Sequence, residues 1–406
     1  MMDFYEDNPK KVKNAELVVS ILTRDKTEGI TFPVKRADEG LVNFFPDRKA
    51  VIVSCDYHSE DGTRDVFMGI STEAPKIYLS TPKGVKGKGN NLRNLFRKAV
   101  ELNASAVIVV DADPASITPR WIKNLADPLF RNFGFVSPLY LHDRFEGTMT
   151  SNIVYPLTRA LYGRRVRQPI GGDFGFSGQL AQLYLENRLW DDRISQFGID
   201  IWMPTLAIIH GIPICQSFMG GPKAHNPGGQ VAEGGPLFNQ VIGTIFALMG
   251  HYAERWATIK WSKPTAIFGF GLGETDTSPD IGIDKGTLHA RFTQGVKNVI
   301  DCWKTVLAPE VFSKLTEVAD IRVDRFDFPT ELWARILFDY AIAFRKETVE
   351  ADALLDSLQP LYYGKILSYV NEVEAMSTQQ TDEYIEDQCL IFEEAKPYLV
   401  RRWDGG

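Results

Sequence analysis

The sequence predicts an α/β protein, with a parallel, doubly wound sheet early in the chain and a mainly helical region at its C-terminal end. Three observations predict it. Short apolar runs at Leu17 to Leu22, Ala50 to Ser54, Lys76 to Leu79, Val107 to Val110 and Phe135 to Leu141 read as strands. Segments of helical spacing lie between several of them, as in Leu92, Leu95, Phe96, Ala99 and Leu102, and such alternation indicates a parallel sheet. After Pro264 the chain reads as amphipathic helix, with Trp333, Ile336, Leu337, Tyr340, Ala341 and Phe344 on one buried face.

Length and composition set the outer bounds. A chain of 406 residues is too long for one compact core. The change of pattern places an α/β domain over residues 15–260 and a helical region over residues 261–406. A net charge of −7, with no basic stripe, argues against a nucleic-acid partner. Cys55, Cys215, Cys302 and Cys389 show neither metal-ligand nor redox spacing, which suits a reducing cytoplasm. Met1 to Lys13 lacks the apolar core of a signal peptide. Val241 to Met249 is too short to span a bilayer and is broken by Gly243 and Thr244. A soluble cytoplasmic protein with no membrane partner is expected. The apolar face at Trp333 and Phe344 needs a partner surface, and a homodimer is one way to supply it.

The strands are followed by the residues that carry chemistry. After the second run come Asp56, Ser59, Asp61, Gly62 and Thr63. An ionised Asp is a pure acceptor, suited to a base or ribose, although Asp61-Gly62 equally closes an ordinary turn. Lys86-Gly87-Lys88-Gly89-Asn90-Asn91 precedes a helix. Glycines expose backbone N–H groups there and lysine adds charge, so phosphate is a natural ligand; a solvated loop is the plain alternative. The run Ala106 to Val110 ends in Asp111-Ala112-Asp113. It reads as a central strand, and two carboxylates at its carboxyl edge, where open α/β sheets bind ligands, can share a hard divalent cation. Asp113 before Pro114 also reads as a helix cap.

Glycine density rises between Thr148 and Tyr252, as where backbone must approach a ligand or another chain. Gln168-Pro169-Ile170-Gly171-Gly172-Asp173 is a polar tight turn in this stretch, and Lys223-Ala224-His225-Asn226 follows an apolar run. A lone histidine is usually structural, but imidazole also completes a metal site beside two carboxylates. Gly269, Gly271 and Gly273 have neither the spacing nor the place of a dinucleotide loop.

The order Asp-Ala-Asp, Gln-Pro-Ile-Gly-Gly-Asp, Gly198-Ile199-Asp200, Lys-Ala-His resembles the retaining GT-A glycosyltransferases that make mannosylglycerate and glucosylglycerate, and the related glucosyl-3-phosphoglycerate synthases. The resemblance covers roughly residues 15 to 255 and leaves the C-terminal third without a motif. It implies a GT-A domain in which Asp111, Asp113 and His225 hold Mg²⁺ or Mn²⁺. Asp56, Lys88, Asp111, Gly171 and Gly172 would contact the nucleotide-sugar donor. Asp173 and Asp200 would lie near the sugar as catalytic candidates, and Thr150 and Asn152 would contact a small acidic acceptor. Arg144, from an arginine-rich stretch with Arg159, Arg164, Arg165 and Arg167, would add a positive charge for it; the other arginines read as surface or inter-subunit pairs. The first strand departs from the pattern: Ile21-Leu22-Thr23-Arg24-Asp25 replaces the usual Pro-Ser/Thr-Tyr-Asn type of segment.

The chemistry agrees with the resemblance. Breaking a glycosyl–phosphate bond develops charge on the departing diphosphate, which a divalent cation and a lysine stabilise. Asp111 and Asp113 are too close together to bracket a sugar as glycosidase carboxylates do. No residue is an obvious nucleophile, which favours front-face substitution. The expected reaction transfers glucose or mannose, with GDP preferred over UDP, to D-glycerate in making a compatible solute. Thr148 stands where phosphoglycerate-using relatives tend to place an arginine, and 3-phosphoglycerate is the alternative acceptor. The alternative of another class is a non-catalytic nucleotide-sugar-binding protein. A membrane-bound processive synthase, suggested by Arg401-Arg402-Trp403, lacks a membrane helix.

Overall fold

The computed structural model describes residues 4–112, 116–141, 144–220, 223, 234–269 and 283–404. Asp113 and His225, two of the three expected metal ligands, lie outside the described residues. Among the described residues the sheet has nine strands: β1 Tyr5–Asp7, β2 Leu17–Thr23, β3 Ala50–Asp56, β4 Lys76–Ser80, β5 Ala106–Asp111, β6 Phe135–Leu139, β7 Phe174–Ser177, β8 Ile214–Phe218 and β9 Ala266–Phe268. All five apolar runs expected as strands are strands.

The strand order is β1-β4-β3-β2-β5-β7-β6-β8-β9. The block β4-β3-β2-β5 is parallel, as expected of βαβ units. The sheet as a whole is mixed, because β1 runs antiparallel to β4, and β7 runs antiparallel to both β5 and β6. The register places Thr23 beside Asp56 and Leu22 beside Asp111, so β2, β3 and β5 end along one edge. Since β7 is reversed, its first residues lie at that same edge: Phe174 pairs with Val109, and Asp173 immediately precedes it. One edge therefore collects Asp56, Asp111 and Asp173. The fold class expected from the sequence, an α/β sheet early in the chain followed by helices, is present.

The described residues divide into two compact units. The first comprises those of 1–141, 168–229 and 265–276, and the second those of 142–167, 230–264 and 277–406. The division is thus not a single cut near residue 260. Helices Tyr155–Tyr162 and Pro236–His251 join the C-terminal helices because their apolar faces are covered there. Tyr155 bonds to Glu386, for instance, and Phe246 packs on Phe344 with ring centroids 5.8 Å apart.

In the first unit, helices Thr31–Phe44 and Pro119–Ala126 cover one side of the sheet with Val34, Ala37, Leu41, Trp121, Ile122 and Leu125. The latter begins at Pro119, with Thr118 at its cap position. In the second unit, helix Thr330–Arg345 buries Trp333, Ile336, Leu337, Tyr340 and Ala341 completely. The face that pointed to a dimer interface is covered within its own unit. No helix among the described residues is long and apolar enough to cross a membrane. The four cysteines are free, and burial pushes the thiols of Cys55, Cys215 and Cys389 up to about 12, which keeps them unreactive.

Candidate active site

The candidate site lies at the carboxyl edge of β2, β3 and β5, in the first unit. Asp111 is the last residue of β5, and its side chain is 32% exposed. The lysine Nζ of Lys223 stands 2.7 Å from Asp111 Oδ2 and 2.7 Å from Asp173 Oδ2. Asp173 is fully buried. It accepts from the Asp111 backbone N–H at 2.9 Å and from the hydroxyl of Tyr140. Burial penalises the Lys223 ammonium, but Asp111 and Asp173 outweigh that and hold it above the ordinary lysine range.

A second ion pair lies beside the first. Lys88 Nζ is 2.7 Å from Asp200 Oδ1 and 3.5 Å from the carbonyl oxygen of Gly171. Asp200 sits in the first turn of helix Ile199–Ile209. Burial raises its carboxyl pKa, Lys88 opposes the rise and Asp111 adds to it. Tyr57, just past β3, is felt by both Asp200 and Asp111: burial first, then these two carboxylates, push its phenol up.

Close approach requires glycine at Gly172 and at Gly89. A Cβ on Gly172 would stand 1.5 Å from Asp111 Oδ2, and one on Gly89 would stand 1.9 Å from the carbonyl oxygen of Ile194. The second contact corrects the expectation for Lys86 to Asn91. The Gly89 N–H donates to the Gln196 carbonyl at 3.1 Å and the Asn90 N–H to the Ser195 carbonyl at 3.0 Å. These amides are not an open phosphate cradle; what the passage delivers to the site is the Lys88 ammonium.

Asp56 is engaged within its own loop. It is fully buried, and it accepts from Thr23 Oγ1 at 2.8 Å, from Ser59 N–H at 2.5 Å and from Ser59 Oγ at 2.6 Å. Its carboxylate shapes the loop. Desolvation works against the Asp61 carboxylate, but the hydrogen bonds that Thr63 and Thr27 donate to it together outweigh that and hold its carboxyl below the usual range. Lys26 N–H donates to Thr63 Oγ1 at 2.8 Å, so the loops after β2 and β3 are laced together.

The acceptor candidates belong to the second unit. Arg144 donates to the carbonyl of Met376 at 2.7 Å. Thr150 begins a π-helical turn, Thr150–Val154. Asn152 is 1% exposed, and its amide nitrogen donates to the Thr148 carbonyl at 3.0 Å. Thr148 itself is buried, its hydroxyl 2.9 Å from that of Tyr362. Arg159, expected at a surface or subunit contact, is buried against Glu393 at 2.6 Å and pairs with Glu386.

Sequence reasoning singled out the Lys223 passage for its histidine and missed its lysine. It missed Tyr57, Tyr140 and the structural role of Gln168 as well. Gln168 Oε1 accepts from Tyr140 N–H at 3.2 Å, and its carbonyl accepts from Ser137 Oγ. The available signal was position: Lys223 follows β8, and Tyr140 follows β6, at the edge where the acids gather.

No family model matches the chain, and no curated protein does so either. Among solved structures, it is similar to glucosyl-3-phosphoglycerate synthase from Mycobacterium tuberculosis in complex with Mn²⁺, UDP and phosphoglyceric acid. That match has 21% identity over 57% of this chain and 78% of that one, with a TM-score of 0.45. The same enzyme with Mg²⁺ and UDP matches at 19% identity over 57% and 79% of the two chains, with a TM-score of 0.43. A further mycobacterial protein matches at 18% identity over 60% and 75%, with a TM-score of 0.43. These are likenesses to part of the chain, and the functional reading stands on the chain's own residues.

Proposed function

We propose that the chain is a retaining, divalent-metal-dependent hexosyltransferase. It moves glucose or mannose from a nucleotide-diphosphate sugar, GDP-linked in preference to UDP-linked, to D-glycerate, with 3-phosphoglycerate as the alternative acceptor. The observation that carries the reading is the edge cluster in which Lys223 bridges Asp111 and Asp173 while Lys88 pairs with Asp200. Carboxylates that hold exchangeable cations at the carboxyl edge of an α/β sheet are what a metal–diphosphate ligand requires.

A divalent cation fits the donor set, because an ammonium already stands in for one at 2.7 Å from two carboxylates. Asp111, with Asp113 and His225, would hold Mg²⁺ or Mn²⁺. When bound, the ion supplies positive charge to the departing diphosphate. Lys88 would add its ammonium to the same leaving group on release from Asp200.

Asp173 is the poorer nucleophile of the two acids, since its oxygens are engaged by Asp111 N–H, Tyr140 and Lys223. It acts through Asp111 and Lys223 as a positioning residue. Asp200 is the acid left to bind sugar hydroxyls. With no nucleophile in place, the acceptor hydroxyl enters on the face from which the diphosphate leaves. The bond from the anomeric carbon to phosphate oxygen breaks, the bond to acceptor oxygen forms, and the acceptor proton passes to the departing phosphate. Arg144, Thr150 and Asn152 are proposed for the acceptor, Arg144 for its carboxylate.

The test is a matrix of UDP- and GDP-linked glucose and mannose against D-glycerate, 3-phosphoglycerate and water, with Mg²⁺ and with EDTA. Metal-dependent transfer to glycerate is the expected result. Turnover with 3-phosphoglycerate alone overturns the acceptor, and metal-independent release of sugar to water overturns the transferase. A covalent sugar adduct on Asp173 or Asp200 overturns the front-face mechanism.

A further inference from the structure

We propose that Lys223 is a built-in competitor for the divalent cation: its ammonium holds Asp111 until metal arrives together with nucleotide, so metal alone is bound weakly. The inference rests on the transferase reading and adds an order of binding to it. Lys223 Nζ lies 2.7 Å from one oxygen each of Asp111 and Asp173, with its side chain 7% exposed. The ring of Tyr140 lies 5.9 Å away. A divalent ion needs its carboxylate oxygen within about 2.0–2.6 Å. An ammonium in contact with the same Asp111 oxygen would face that ion at close range, where like charges in a poorly solvated site repel strongly. The two cations therefore exclude each other at Asp111.

Charge balance says when the exchange is favourable. Lys223 is held by two carboxylates, Asp111 and Asp173. A bare divalent ion taking Asp111 would free this buried ammonium from that carboxylate with no new partner, and unpaired buried charge is costly. A metal–nucleotide complex brings phosphate oxygens that can take up the released ammonium. Lys223 thus couples the two ligands: metal strengthens nucleotide binding and nucleotide strengthens metal binding by the same factor. Lys88 cannot do this at Asp111, because its contacts are Asp200 and Gly171.

The experiment uses the full chain and its Lys223→Met variant. Mn²⁺ affinity of the protein alone is read by electron paramagnetic resonance, and UDP and GDP affinity by calorimetry with and without Mn²⁺. We expect Lys223→Met to bind free Mn²⁺ at least tenfold more tightly than the unaltered chain. The tightening of nucleotide binding by Mn²⁺ should shrink in proportion, and Mn²⁺ should raise the melting temperature of the variant more than that of the unaltered chain. Lys223→Gln, which still donates hydrogen bonds to carboxylates, takes the same measurements if the methionine variant does not melt cooperatively. Equal or weaker Mn²⁺ binding by a folded variant overturns the proposal while leaving the transferase reading intact. If the unaltered chain binds neither nucleotide in the presence of Mn²⁺, the transferase reading itself falls.

Discussion

Two regions of this protein bury ionic clusters, and they are built differently. At the sheet edge, carboxylates are held by lysines, each a point charge on a flexible stem: Lys223 on Asp111 and Asp173, and Lys88 on Asp200. In the second unit the buried cation is Arg159, 1% exposed, whose guanidinium reaches Glu393, Glu386 and Ser262. Its buried lysines point at neutral oxygens instead. Lys396 caps Trp256 and Ile259, and Lys365 lies 3.0 Å from Thr330 Oγ1. A guanidinium fork is fixed by its planar geometry, whereas an ammonium is a compact point charge on a flexible stem. Burial of charge alone therefore does not mark a site, and the site proposed above is the cluster in which lysines hold carboxylates at the sheet edge.

The largest expected effect would break the comparison outright. Asp111→Asn keeps the shape of the side chain and removes its charge. We expect transfer to fall by about a thousandfold, the upper range for loss of one transition-state electrostatic contact, with little change in melting temperature. Turnover within tenfold of the unaltered chain would show that the edge cluster is as structural as the other. The counterpart is Arg159→Met, which leaves Glu393 buried without its cation. Removing one partner of a buried pair costs roughly 3–5 kcal/mol, to be read by chemical denaturation; a loss below about 1 kcal/mol would place this pair with surface salt bridges.

Gly172→Ala sharpens the comparison at the backbone. The added methyl would have to displace Asp111 Oδ2, 1.5 Å away. Overpacking of this kind costs about 1–3 kcal/mol, and here the strain falls on the carboxylate itself. Nucleotide binding in the presence of Mn²⁺ should weaken more than stability does, and the reverse ranking would count against a ligand role for the turn.

The parts of this design that are local in sequence were legible. Five strands could be read from apolar runs, and Asp111 from its place at the end of one. The glycine at 172 pointed to close approach, although not to Asp111, the carboxylate it approaches. Strand β7 was not legible: Phe174–Ser177 is four residues long, contains Gly175 and runs against its neighbours. Nothing local announces that reversal, yet it is what carries Asp173 to the edge. Lys223 was unassigned for a similar reason, since it meets an acid 112 positions earlier and only the sheet order brings them together. Asp56 was legible by its position past a strand, whereas the bonds it accepts from Thr23 and Ser59 require the fold to be known.

The smallest expected effect concerns pH and the second unit. Burial pushes the Lys365 ammonium down to about 8, against the pull of Asp327 and Glu372. A folded-state value below the unfolded one, about 10.4, means that between these two values the unfolded chain binds more protons than the folded chain. Stability from this group therefore rises with pH across that window, by at most about 1.4 kcal/mol per unit. Lys365→Met removes the titration, so the stability difference between unaltered chain and variant should move in favour of the unaltered chain from pH 7.5 to 9.5. Taking the difference cancels the other lysines and tyrosines that titrate nearby. A difference that stays flat over this range would mean that Lys365 remains protonated through its bond to Thr330. The second unit would then hold a saturated ammonium after all, and the contrast with Lys223 would rest on Arg159 alone.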